Sequence, residues 1–206
     1  MPFLLGLTGN IACGKSTVGQ ILAERYGAEY IDTDRLVHAL YAPETPETRA
    51  IAERFGRDLL TADGTIDRRR LGDLVMADRR VLRELEAILD PGVMRAVDER
   101  LARTPVQVVV IDAIRLIESG LAARCEAVWV VVCHRAVQLA RLQTSRGLSA
   151  EQAALRIDAQ APAEEKLRHA TAVLENHGSL EDLGEQVERA WTATVVPRLD
   201  ELTADR

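Results

Sequence analysis

The sequence predicts an α/β fold in which a parallel β-sheet is covered by helices on both faces, and three observations predict it. Five short apolar or β-branched runs read as buried strands: Phe3–Leu7, Ala28–Ile31, Val106–Ile111, Ala127–Val132 and Thr171–Leu174. Helical spacing fills the stretches between them. Gly9, Asp32, Asp112 and Cys133 all fall at or just past the carboxyl ends of these runs, where ligands gather in such sheets.

Taken in order, Phe3–Leu7 is an apolar strand that runs into Thr and Gly. From Lys15 to about Tyr26, the residues Val18, Ile21, Leu22 and Tyr26 recur at helical spacing. Ala28–Ile31 is the second strand and ends in Asp32-Thr33-Asp34. Helical patterns then run to about Arg103. Breaks are expected at Pro43 and Pro46, at Ala62-Asp63-Gly64-Thr65, and at Pro91-Gly92. After the strands Val106–Ile111 and Ala127–Val132 comes a helix-rich stretch from His134 to about His169. Gly147 stops its first helix, and Ser149 with Gln152 makes a capping box for its second. Thr171–Leu174 is the last strand, and Leu180 to about Leu202 is a closing helical segment with a kink before Pro197.

At 206 residues and 47% hydrophobic, the chain can bury one sizeable core, and one α/β domain with an inserted helical part fits better than two domains. Aromatic residues are only 3%, so the core is aliphatic and rings for stacking single-stranded nucleic acid are scarce. A net charge of -6 speaks against broad nucleic-acid binding but leaves room for a local basic pocket. The apolar N-terminus lacks a basic flank, and no run is long enough to span a membrane. The expectation is a cytoplasmic protein with neither nucleic-acid nor membrane partners. Cys13, Cys125 and Cys133 suggest neither a disulfide framework nor a zinc site. Cys125 and Cys133 read as packing residues, and Cys13, in a loop, is either a small spacer or a reactive thiol. The four His, at 38, 134, 169 and 177, lack metal-ligand spacing.

Of the 26 basic residues only Lys15 and Lys166 are lysines. Lys15 closes the run Gly9-Asn10-Ile11-Ala12-Cys13-Gly14-Lys15-Ser16, which fits G-x-x-x-x-G-K-[ST] between a strand and a helix. Such a match arises by chance about 0.01 times in a chain of this length. Glycines let the loop curl around an anion, and the helix N-terminus adds partial positive charge. Lys15 would neutralise the β- and γ-phosphates of a nucleotide, Ser16 would hold Mg²⁺, and Thr17 would line the site. The fold is therefore of the P-loop NTPase type, three-layer α/β/α. The Asn-Lys-x-Asp pattern of a guanine reader is absent, which points to ATP. Asp112 suits a carboxylate that orients Mg²⁺ through water, or a helix cap. Asp32 and Asp34 either face an acceptor hydroxyl or, for Asp34, cap the next helix.

From Leu5 to Val18 the chain resembles the opening of dephospho-CoA kinases, and Ile31-Asp-Thr-Asp34 resembles their D-x-D segment. The resemblance continues through Asp63-Gly64-Thr-Ile-Asp-Arg68, Leu85 to Pro91, Glu118 to Leu121, Gln138 to Leu142, Gly147 to Ser149, Gln160 to Lys166 and Asn176 to Leu180. It implies ATP-dependent phosphorylation of the ribose 3′-hydroxyl of dephospho-CoA, the last step of CoA synthesis. It also implies a five-stranded core (about 1–34, 104–134 and 170–206), a helical acceptor-binding part (about 35–103) and a helical lid (about 135–169). By the same resemblance Asp34 is the leading carboxylate for the acceptor hydroxyl, with Asp32 beside it. Arg141 would be a lid arginine that swings over the phosphates, and Asn176 and Gly178 would border the adenine. Arg68 is either an anion contact or a surface salt-bridge partner.

The chain departs from the family pattern at four places. Asp90-Pro91 stands for His-Pro, Ser145 for a second lid arginine, Ala113-Ile114-Arg115-Leu116 for a Pro-Leu-Leu-type run, and Thr171 for an Asp. On a helix, position 146 lies about 140° from position 141 and position 145 about 40°, so Arg146 does not replace the missing guanidinium. Two other readings stand beside the first: another small-molecule kinase on the same scaffold, or an ATP-binding relative without transfer activity.

Overall fold

The computed structural model describes residues 2–204. In chain order the elements are β1 (Phe3–Thr8), α1 (Lys15–Tyr26), β2 (Glu29–Asp32), α2 (Thr33–Leu40), α3 (Pro46–Phe55), α4 (Arg68–Ala77), α5 (Arg79–Leu101), β3 (Val108–Asp112), β4 (Ala127–Val132), α6 (Arg135–Arg146), α7 (Ala150–Asp158), α8 (Ala163–Leu167), β5 (Ala172–Glu175), α9 (Leu180–Thr194) and α10 (Val196–Ala204). They fall into two compact units, Met1–Ile31 with Thr104–Arg206, and Asp32–Arg103.

Among the described residues the sheet has five strands in the order β2-β3-β1-β4-β5. β1 lies at its centre, with Leu5 opposite Val110 on one side and Ala127 on the other. Every residue of β1 is buried, so both faces must be apolar, as its near-continuous hydrophobic run anticipates. One core packs Phe3, Leu5 and Leu7 with Val18 and Leu22 of α1, Trp129 of β4, and Leu183, Val187 and Trp191 of α9. The scarce aromatics are concentrated here: Tyr26 stacks on Trp191 at 4.2 Å, and the buried Trp129 indole donates to Thr194 Oγ1 at 2.9 Å. A second cluster joins Ile11 to Leu142 of α6 and to Ala153 and Ile157 of α7, which fixes these helices against the loop after β1.

The expected third strand begins two residues later than its β-branched run and takes in Asp112, which pairs with Leu7. Thr171 lies just before β5, where its hydroxyl both donates to Val128 O at 2.9 Å and accepts from Val128 N at 3.0 Å. A threonine therefore closes this strand end with no carboxylate needed. The closing segment breaks at Val195, and Pro197 stands in the first turn of α10, where its missing N–H costs nothing.

In the Asp32–Arg103 unit, the side chains of Asp32, Thr45, Asp67 and Asp78 cap α2, α3, α4 and α5. Pro46 starts α3 at its first position and does not break a helix. Its core is Ile51, Leu59, Ile66, Leu71, Leu85 and Leu89.

The break expected at Pro91-Gly92 is absent: α5 runs unbroken from Arg79 to Leu101. An interior proline costs about 3 kcal/mol. Burial of Leu85, Leu89, Val93 and Val97 along one face, each contributing about 1.5–3 kcal/mol, offsets it. Gly92 stays because of crowding, since a Cβ there would stand 2.6 Å from Glu47 Oε1 and 2.8 Å from Leu40 Cδ1. The buried Glu47 is in turn held by Arg95 at 2.5 Å.

Candidate active site

The loop between β1 and α1 takes the conformation that its glycines permit. Gly14 has φ 91°, and a Cβ on it would lie 2.0 Å from Asn176 Nδ2, so both backbone and space demand glycine. Ala12 also sits in the left-handed region, at φ 59°, which costs about 1 kcal/mol for an L side chain and had no signal in the sequence. The first helical bonds of α1 are those of Thr17 and Val18 to the Gly14 carbonyl. The amides of Lys15 and Ser16 therefore precede the intrahelical ladder and stand at its positive end.

Not every amide of the loop is available to an anion. Ile11 N donates to Gln160 Oε1 at 2.7 Å, and Cys13 N to Asn10 O at 3.3 Å. Other side chains hold the loop from outside. Gln138 Nε2 donates to Ile11 O at 2.8 Å, Asn10 Nδ2 to Ala161 O at 3.1 Å, and Asn176 Nδ2 to Cys13 O at 2.7 Å. Gln138 and Asn176 are both buried, where an amide left without a partner costs about 1–3 kcal/mol, so these bonds define the loop's shape.

Lys15 Nζ donates to Gly9 O at 3.3 Å and lies 4.0 Å from Asp112 Oδ1. Asp112, 8% exposed, also accepts from the Tyr30 hydroxyl at 2.5 Å. Sequence reasoning placed Asp112 at a strand end and Lys15 in the phosphate loop but missed Tyr30. A tyrosine two residues before Asp32 carries no local sign of a partner 82 residues away. Ser16 is exposed on the first turn of α1, and Thr17 is half-buried beside it. Ser16 and Asp112 offer hydroxyl and carboxylate oxygens, the donor type that Mg²⁺ takes.

Arg141 does not swing free. Its guanidinium donates to Ala12 O at 3.2 Å and to Asn176 O and Oδ1, both at 3.1 Å. Asn176 thus joins the loop to Arg141, while Gly178 is exposed just before α9. The imidazoles of His134 and His177 meet at 4.2 Å beside this corner. Ser145 turns its hydroxyl back onto Arg141 O at 2.5 Å.

Lys166, the second lysine, is 4% exposed and donates to Ile114 O at 2.6 Å and to Glu118 at 3.0 Å. These bonds tie α8 to the segment after β3.

Asp32 and Asp34 differ sharply. Asp32 Oδ1 accepts from Asp34 N at 2.9 Å and from Arg35 N at 3.4 Å, making Asp32 the cap of α2. The capping role considered for Asp34 thus belongs to Asp32, and Asp34 lies within the first turn of the helix.

Comparison with known proteins follows the same lines. The dephospho-CoA kinase family model matches residues 3–182. A dephospho-CoA kinase of Geobacter sulfurreducens is 42% identical over 191 residues, 91% of this chain and 96% of that protein. Among solved structures, TT1252 from Thermus thermophilus superposes with TM-score 0.76 at 36% identity, covering 94% of this chain and 98% of its own. Dephospho-CoA kinase from Campylobacter jejuni gives 0.64 at 28%, covering 93% and 96%. This chain belongs to the dephospho-CoA kinase family.

Proposed function

We propose that the chain transfers the γ-phosphate of ATP to the ribose 3′-hydroxyl of dephospho-CoA, giving CoA and ADP. The observation that carries this reading is the near-complete family match on a chain whose phosphate loop is fully built and braced.

Lys15 takes the β- and γ-phosphates, with the amides at the start of α1 adding donors around them. Ser16 and Asp112 hold Mg²⁺, Asp112 through water; bound there, the ion would neutralise charge on the transferring phosphoryl group. Tyr30 keeps the Asp112 carboxylate oriented beside Lys15. Asp34 accepts the proton of the 3′-hydroxyl as its oxygen attacks phosphorus and the bond to the ADP oxygen breaks. Asp32, engaged with the start of α2, positions Asp34. Arg141 stabilises charge on the phosphates from its seat on Ala12 and Asn176, with Asn176 and Gly178 bordering the adenine. The helices of residues 35–103 bind the acceptor, and those of residues 135–169 cover the nucleotide. The protein acts in the cytoplasm.

The test is an ATP-to-ADP assay with Mg²⁺, with and without dephospho-CoA, read by the mass of CoA. CoA formation that requires both substrates is expected. Tight ATP binding with no CoA would overturn the reading in favour of another acceptor or an inactive relative. Asp34→Asn should lower turnover far more than ATP affinity; equal loss of both would make Asp34 structural.

A further inference from the structure

We propose that Cys13 and Cys133 form a redox-modification site, in which hydrogen peroxide closes a disulfide under the phosphate loop and reversibly lowers phosphoryl transfer. The effect on transfer rests on the function proposed above; the chemistry of the pair does not.

The two sulfurs lie 3.6 Å apart, with the Cys133 thiol donating to Cys13 Sγ. A disulfide bond is about 2.05 Å, so side-chain rotation must bring them closer by about 1.6 Å. Both residues line one cavity of ≈ 50 Å³ together with Gln138 and Lys166. That is several times the roughly 10–15 Å³ that admits a water, so a small oxidant has room to meet them. Cys13 itself is only 3% exposed, which makes this cavity its route to reagents.

The pair is chemically unequal. The hydrogen bond from Cys133, with help from the Lys15 charge and the Gln138 amide at 3.4 Å, holds the Cys13 thiol down to about 7 against its burial. The same hydrogen bond and burial push Cys133 up. Cys125, half-buried and beside Glu126, is pushed up to about 12 by desolvation and is a poor nucleophile.

Cys13 is then the thiolate that attacks a peroxide oxygen. The O–O bond breaks, hydroxide leaves, and Cys13 becomes a sulfenic acid. The Cys133 sulfur next attacks the Cys13 sulfur, and the S–O bond breaks. The departing hydroxide takes the Cys133 proton and leaves as water. In sum, two thiols and one hydrogen peroxide give one disulfide and two waters. Drawing Cys13 toward Cys133 strains the bond from Gln138, which also holds Ile11 O, and the carbonyl bond from Asn176. The displacement reaches Gly14 and Lys15 directly through the backbone.

The experiment treats the purified protein with hydrogen peroxide and follows intact mass, a peptide map, and CoA formation relative to each untreated sample. The native chain should lose the mass of two hydrogens and yield a Cys13–Cys133 cross-link. Its turnover should fall about fivefold or more and return with dithiothreitol. Cys125→Ser should behave as the native chain does. Cys133→Ser should instead gain oxygen at Cys13 and never lose two hydrogens. Oxygen uptake without cross-linking in the native chain, a bond to Cys125, or a cross-link that leaves turnover unchanged would each overturn the proposal. If the untreated protein makes no CoA, the functional reading has failed on its own. The mass, the map and equilibrium dialysis of ATP then still decide the fate of the cysteine pair.

Discussion

The phosphate loop and the helix starts of the Asp32–Arg103 unit hold their polar groups in different ways. In the Asp32–Arg103 unit the helix starts are secured by side chains two or three residues away, as when Asp67 accepts from Arg69 N at 3.0 Å and Arg70 N at 3.1 Å. In the other unit the phosphate loop is secured by residues far along the chain: Gln138 binds Ile11 across 127 residues, Gln160 binds Ile11 across 149, and Asn176 binds Cys13 across 163. Local caps stabilise a helix whatever the chain does elsewhere. Long-range bonds form only when the sheet has assembled, so the loop's shape depends on the whole unit.

This contrast can be broken or sharpened by mutation. The largest effect is expected at Lys15, the charge that the bracing serves to place. Lys15→Ala should cut transfer by about 10²–10³-fold or more while circular dichroism and the melting curve stay near native. Retained turnover would remove the loop from the mechanism.

Asn176→Ala deletes a buried amide that serves Cys13 O and Arg141 together, and should lower stability by about 2–3 kcal/mol in denaturant unfolding, with weaker ATP binding. An additive response with Arg141→Ala in a double-mutant cycle would show that the two do not work as a unit. Asp67→Ala removes a local cap and should cost about 1 kcal/mol, leaving ATP affinity unchanged. If it matched Asn176→Ala in both respects, the distinction between local and long-range bracing would fail. The smallest effect is expected for Ala12→Gly: relief of the left-handed backbone, less the added entropy of the unfolded chain, should raise stability by under about 1 kcal/mol.

The same contrast explains what was legible in the sequence. The five strands, the phosphate loop and the Ser149–Gln152 box are written in neighbouring residues, and the folded chain carries them. The continuity of α5 through Pro91 was not legible, because local propensity argues for a break and only the packing of Leu85, Leu89, Val93 and Val97 overrules it. At the site, Lys15 could be found from its motif. The tyrosine on Asp112 and the thiol facing Cys13 could not, since neither Tyr30 nor Cys133 has a neighbour that announces its partner. The division between Asp32 and Asp34 needed the cap geometry of α2, which spacing alone leaves ambiguous.

The scarcity of lysine has a practical consequence. The chain carries two side-chain amines, and both are sheltered, with side-chain exposures of 11% for Lys15 and 5% for Lys166. Lys166 is locked onto a carbonyl and a carboxylate. An acylating reagent would therefore find Lys15 as its more reachable side-chain amine, and a bound polyphosphate would cover it. Amine labelling followed by mass spectrometry would footprint nucleotide occupancy at a single atom, with no engineered tag or reporter.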